Sequence, residues 1–139
     1  MAVFLNNNVG VKINSVDLSA YVTSVTLNRS FDELEVTAMG DSGHKFVKGL
    51  EASSITIDFL NDTAAATVLP TLQAAWGTNV TVVLLQTKGT AVSATNPLYT
   101  ATCLINNTTD INGAVGDIGS QSLTFNVSGT VAVTTTGTF

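Results

Sequence analysis

The chain has 139 residues, and 5 Lys and Arg against 10 Asp and Glu give a net charge of −5. Only 11% of residues are charged while 45% are hydrophobic, which argues for one folded domain over residues 1–139 and against a disordered chain. It also argues against a basic nucleic-acid-binding face, which needs clustered Lys and Arg.

From the N-terminus, Val9, Val11 and Ile13 flank Gly10 and Lys12, the alternation of a half-buried strand. Tyr21 to Leu27, rich in β-branched residues, reads as a second strand. Residues 31–50 are charged and broken by Gly40, Gly43 and Gly49, so they read as a loop of about twenty residues, a length that is often functional. Ile55, Ile57 and Phe59 then alternate with Thr56 and Asp58 as a third strand.

Val68, Leu69, Leu72, Ala75 and Trp76 change the period to a helical one. A helix is expected over 63–76, with Asp62 or Thr63 as its cap and Gly77 at its end. Pro70 either kinks that helix or occupies the first turn of a shorter one. Val80 to Leu85 is apolar on both faces, as in a strand covered on both sides. Tyr99, Ala101, Cys103 and Ile105 share a strand face, as do Leu123, Phe125 and Val127. Between them, Asn112-Gly113 and Gly116 signal a hairpin or turn in 107–119. The Thr-rich end, Thr134 to Phe139, reads as a strand end or a loose terminus. The fold expected is mainly β: a sandwich or partly closed barrel with one flanking helix and a long loop.

A single cysteine, Cys103, allows no internal disulfide framework and reads as a small core residue. The apolar stretch Met1 to Leu5 is short for an export signal, and no apolar run approaches a membrane span, so folding in a cytoplasm is expected.

The chemistry-bearing motifs are weak. Gly40-Asp41-Ser42-Gly43 spells the nucleophile string of chymotrypsin-like proteases, but the mechanism needs a His oriented by a separate Asp. The only histidine is His44, two residues after Ser42, where a Gly-flanked turn is the simpler reading. Asp32, Glu33 and Glu35 lack the spacing of a calcium loop. His44, Lys45 and Lys48 form a basic cluster nearly cancelled by neighbouring acids. Trp76 reads as core or interface rather than a ligand platform. No enzymatic site, metal or cofactor is expected.

Three stretches carry a family resemblance: Val16 to Val25, Asp32 to Lys45 with its Thr37-Ala38-Met39-Gly40-Asp41 string, and Ser93-Ala94-Thr95-Asn96-Pro97. With Gly49-Leu50-Glu51 and Ile55 to Phe59, they make most of the chain resemble the tail tube proteins of long, flexible-tailed double-stranded DNA bacteriophages. The resemblance implies a virion protein, assembled in the host cytoplasm, whose subunits form stacked hexameric rings around an acidic bore for the genome. It implies tail terminator, distal tail and tape-measure proteins as partners, transient passage of DNA without specific binding, and no membrane. In such a protein the loop after the second strand reaches a neighbouring subunit or ring. Here that assembly loop runs from Phe31 to Leu50 and presents Phe31, Asp32, Glu33, Glu35, Met39, Asp41, His44 and Phe46. Asp58, on the polar face of a strand, is the first candidate for a bore acid, followed by Glu51 and Asp32.

Size is compatible with that architecture. A globule of this length is about 35 Å across, and six touching spheres enclose a hole about 35 Å wide. A duplex about 20 Å across passes with clearance, whereas four spheres leave only about 14 Å. Two readings compete: a capsid head decoration protein and a β-sandwich adhesin or binding module. The second would need an exposed aromatic or metal site, and only 6% of residues are aromatic.

Overall fold

The structure, a computed structural model, describes residues 8–139; the apolar stretch Met1 to Leu5 lies outside the described residues. In chain order the elements are β1 (Gly10–Ile13), β2 (Val16–Asp17), β3 (Val22–Asn28), β4 (Phe31–Glu35), β5 (Phe46–Glu51) and β6 (Ser54–Leu60). After them come α1 (Val68–Ala74), β7 (Asn79–Leu85), β8 (Leu98–Leu104), β9 (Ser120–Asn126) and β10 (Ala132–Thr134). A five-stranded sheet has the order β10-β8-β7-β1-β2, a three-stranded sheet the order β3-β6-β9, and β4 pairs with β5 alone. The pairings between strands are antiparallel.

Alternation builds the sandwich. Val11, Ile13, Val80, Val82, Leu84, Ala101 and Cys103 point inward from the larger sheet. They meet Ile55, Ile57, Phe59, Leu123 and Phe125 from the smaller one. Each Val, Leu, Ile or Phe among them, fully buried, contributes about 1.5–3 kcal/mol. No sheet closes into a barrel. One bridge, Cys103 to Val127, joins the two layers at the β8–β9 side. Cys103 is fully buried there, and burial pushes its thiol up to about 11.

The helix is shorter than its sequence pattern. It begins at Val68, and residues 62–67 form a turn instead. The Asp62 side chain accepts the Ala64 N–H at 2.8 Å and the Asp62 carbonyl accepts the Leu69 N–H at 3.1 Å. These bonds use Asp62 outside the helix, and Thr67 becomes the N-cap. Pro70 then sits at the third helical position, where no intrahelical N–H bond is lost. Val68, Leu69 and Leu72 bury one face.

Two further expectations change. Residues 105–119 do not make a hairpin, because β8 and β9 belong to different sheets. The Gly116 signal marks a local turn closed by the Asp117 N–H on the Ala114 carbonyl at 3.1 Å. Strand β7 is covered on both sides only toward its end: Val80, Val82 and Leu84 are buried on one side, while on the other Leu85 is buried, Val83 half-buried and Thr81 exposed. The C-terminal end crosses its outer side, where Thr138 and Phe139 lie with Thr81, Val83 and Lys12 around one shallow depression. The Thr-rich end thus begins as a short strand, β10, paired to β8.

Candidate functional site

The stretch expected to be a loop is a two-stranded ribbon. Strands β4 and β5 pair in register Glu33–Lys48, Leu34–Val47 and Glu35–Phe46. The pleat puts Phe31, Glu33, Glu35, Phe46 and Lys48 on one face and Leu34, Val36 and Val47 on the other. On the first face the Lys48 ammonium lies 5.5 Å from the Phe31 ring centroid, and His44 Nδ1 lies 3.3 Å from a Glu35 carboxylate oxygen. Asp32 falls opposite a bulge at Gly49 and Leu50. Gly49 is required there, because a Cβ would come within 2.7 Å of the Asp32 carbonyl oxygen.

The tip is ordered by its own polar groups. The Val36 N–H donates to the Lys45 carbonyl at 2.8 Å, and the Lys45 N–H to Thr37 Oγ1 at 3.0 Å. Asp41 accepts the Ala38 N–H at 2.8 Å and pairs with Lys45 at 2.8 Å. Those two contacts, Lys45 first, hold its carboxyl below the usual carboxylate range. The turn they close pushes Met39 fully into solvent. At the base, the Glu51 carboxylate accepts the Val131 N–H at 2.9 Å and the Ser53 hydroxyl at 2.8 Å. Val131 and Ser53, helped by the charges of Arg29 and Lys48, hold the Glu51 carboxyl below its ordinary value.

An isolated two-stranded ribbon is at best marginally stable in water. This one leaves Phe31, Leu34, Val36, Phe46 and Val47 about half exposed and Leu50 81% exposed. Apolar side chains on both faces are the mark of a surface meant to be covered.

The structure therefore gathers Phe31, Asp32, Glu33, Glu35, Met39, Asp41, His44 and Phe46 on one projecting element. It adds Leu34, Val36, Val47 and Leu50, of which only the spacing of Leu34 and Val36 was a local strand signal. Ser42 and His44 sit on the exposed tip, where His44 is engaged with Glu35. Among the described residues, no group of three or more His, Cys, Asp and Glu gathers as a metal site. No described helix is long and apolar enough to cross a membrane.

Asp58 lies elsewhere, on the outer face of the three-stranded sheet between Ser24 and Ser122. That face otherwise carries Thr26, Asn28, Ser54, Thr56, Ser120, Thr124 and Asn126, plus Leu60 at its edge. It is a hydroxyl and amide surface with one carboxylate and no cation. One Asp58 oxygen is buried without a hydrogen-bond partner, and Thr56 and Thr124 share a bond at 3.0 Å beside it in the strand order. At the opposite end of this sheet from the ribbon, residues 105–119 expose Ile111, Val115 and Ile118, and Trp76 stands beside them 55% exposed. Trp76 is thus surface rather than core.

No protein-family model matches the chain, and no curated protein matches it.

Proposed function

We propose that the chain is a self-assembling structural subunit of a phage-type tail tube, a virion protein without enzymatic activity or cofactor. The observation that carries this reading is the ribbon of residues 31–51. It is paired within itself, projects from the sandwich and leaves apolar side chains uncovered on both faces. A monomer gains nothing from such an element, whereas an assembly buries it.

The outer face of β3-β6-β9 supports the conduit part of the reading. Neutral hydroxyls with the single carboxylate of Asp58 offer phosphates no cation to grip. Asp58 is a better bore candidate than Glu51, whose carboxylate is already committed to Val131 and Ser53. Stacked hexameric rings are the assembly that the resemblance implies, and a ring of six subunits of this size leaves a bore that passes a duplex with clearance. The tail terminator, distal tail and tape-measure proteins are the partners that this reading brings with it.

Negative-stain electron microscopy of the concentrated protein tests the reading. Hollow tubes or stacked rings with a bore wide enough for a DNA duplex are expected. Discrete small particles at every concentration would overturn it and favour the head decoration or binding-module readings.

A further inference from the structure

The Asn112-Gly113 pair makes no hairpin, yet it closes a loop of another kind. The Asn112 side-chain amide donates from Nδ2 to the Ser120 carbonyl. The Asn112 carbonyl oxygen lies 3.4 Å from where a Cβ on Gly119 would stand. Residues 113–119 thus leave and return at one neck, where the chain enters β9. The Asn112 amide is the side chain that clasps this neck. Inside the loop the Asp117 N–H donates to the Ala114 carbonyl, and beside the neck the Asn61 N–H donates to the Gly119 carbonyl.

The same amide is placed to react. Asn112 and Gly113 are both exposed, so water and hydroxide reach them. The Gly113 N–H donates no hydrogen bond among the described residues. Residue 113 has no Cβ, so its nitrogen can approach the Asn112 side-chain carbon without a steric barrier. Of all the asparagines in the chain, Asn112 alone is followed by glycine. We propose that Asn112-Gly113 is a self-modification site, at which loss of ammonia turns the amide into a carboxylate and opens the clasp.

Solvent hydroxide takes the Gly113 N–H proton. The nitrogen bonds to Asn112 Cγ, the Cγ–Nδ2 bond breaks, and ammonia leaves with a proton from water. The succinimide ring then takes up one water. Cleavage at Cγ restores the ordinary chain with an aspartate side chain. Cleavage at the main-chain carbonyl leaves isoaspartate, whose backbone runs through the side chain and is one methylene longer. Either product removes the donor at the neck. A carboxylate oxygen then faces the Ser120 carbonyl oxygen, and two acceptors cannot bond. The new negative charge also joins Asp110 and Asp117 on a chain that already carries −5. This chemistry is independent of assembly.

The test ages the whole chain in mildly alkaline buffer and follows it by isoelectric focusing and peptide mapping. An acidic species is expected to grow, carrying aspartate and isoaspartate at position 112. Asn14 is the internal reference, because it is exposed in its own turn but followed by Ser15. Amide loss at Asn112 is expected to run at least about tenfold faster than at Asn14. Gly113→Ala is the control. An added Cβ at Gly113 meets nothing within 4 Å, and its φ is not left-handed. That variant is therefore expected to melt like wild type, keep the clasp and lose the acidic species. Hydrogen exchange reads the clasp. The Asp117 and Asn61 N–H groups should exchange faster in the aged chain and in Asn112→Asp, and stay slow in Gly113→Ala. If Asn112 keeps its amide as long as Asn14 does, the modification site falls. If the amide is lost while exchange in the aged chain and in Asn112→Asp stays as in fresh wild type, the clasp falls.

Discussion

The sandwich and the ribbon are built from the same kind of strand and end in opposite states. In β6, Ile55, Ile57 and Phe59 all point to one side and all are buried. In β4 and β5, apolar residues stand on both sides and none is buried. A period-2 pattern with one apolar face is satisfied by a second layer in the same chain. Apolar residues on both faces of a two-stranded ribbon are not satisfied that way, since among the described residues no further layer covers it. The contrast teaches that the two regions are held differently: one buries its apolar residues in the core, and the other leaves them uncovered.

The largest effect expected is in the sandwich. Phe125→Ala empties a fully buried site and is expected to cost about 3–5 kcal/mol, read from urea unfolding. A loss under 1 kcal/mol, on the order of a surface change, would contradict the core placement. The ribbon should behave in the reverse way. Deleting residues 38–46 is expected to abolish polymers while leaving the melting transition nearly unchanged. Normal tubes from that variant would remove the ribbon from assembly.

Gly49→Val sharpens the contrast inside the ribbon. Its side chain collides with the Asp32 backbone, so hydrogen-exchange protection should drop across 31–51 and remain intact in β6 to β9. Loss of protection in both would mean that the two regions fold as one unit. Asp58→Lys should leave assembly in place and slow genome release, because a cation on that face holds phosphates. Unchanged release would take Asp58 out of the bore.

The smallest effect concerns Glu51, which ties the ribbon base to the C-terminal segment. Its carboxyl is held below its ordinary 4.5 in the folded chain, so the folded state binds that proton less readily than the unfolded state. The stabilisation is therefore whole above about pH 4.5 and is lost as pH falls through the folded value. Glu51→Gln should lower stability at neutral pH, leave it unchanged well below the folded value, and so flatten the acid limb of a stability–pH curve. An unaltered acid limb would show that the Val131 and Ser53 bonds carry no such linkage.

Six strands were legible in the sequence: four from alternation around Val11, Ile57, Cys103 and Phe125, one from the β-branched residues of Tyr21 to Leu27, and one from the continuous apolar run of Val80 to Leu85. The helix was legible in type and misread in length: the spacing from Val68 to Trp76 is helical, but Asp62 spends its side chain and carbonyl on a turn before it. Residues 31–50 were misread because glycines and charges argue for a loop, while the cross-strand pairs Leu34–Val47 and Glu35–Phe46 are visible only once the chain folds back. The candidate residues from Phe31 to Phe46 were nevertheless found, since length and composition alone mark the segment as unusual. The exposed residues at the end opposite the ribbon were not found. Trp76, Ile111 and Val115 are far apart in the chain, and nothing local says that they stay exposed.

What the sequence determined by itself is the layer: which residues face inward, and that the chain is mainly β. Side-chain period is a property of the backbone and needs no partner to be read. What the tertiary structure decided is direction. Whether an apolar residue meets its own core or a neighbour's surface depends on where sheet pairing carries it, and pairing is made between residues the sequence holds far apart.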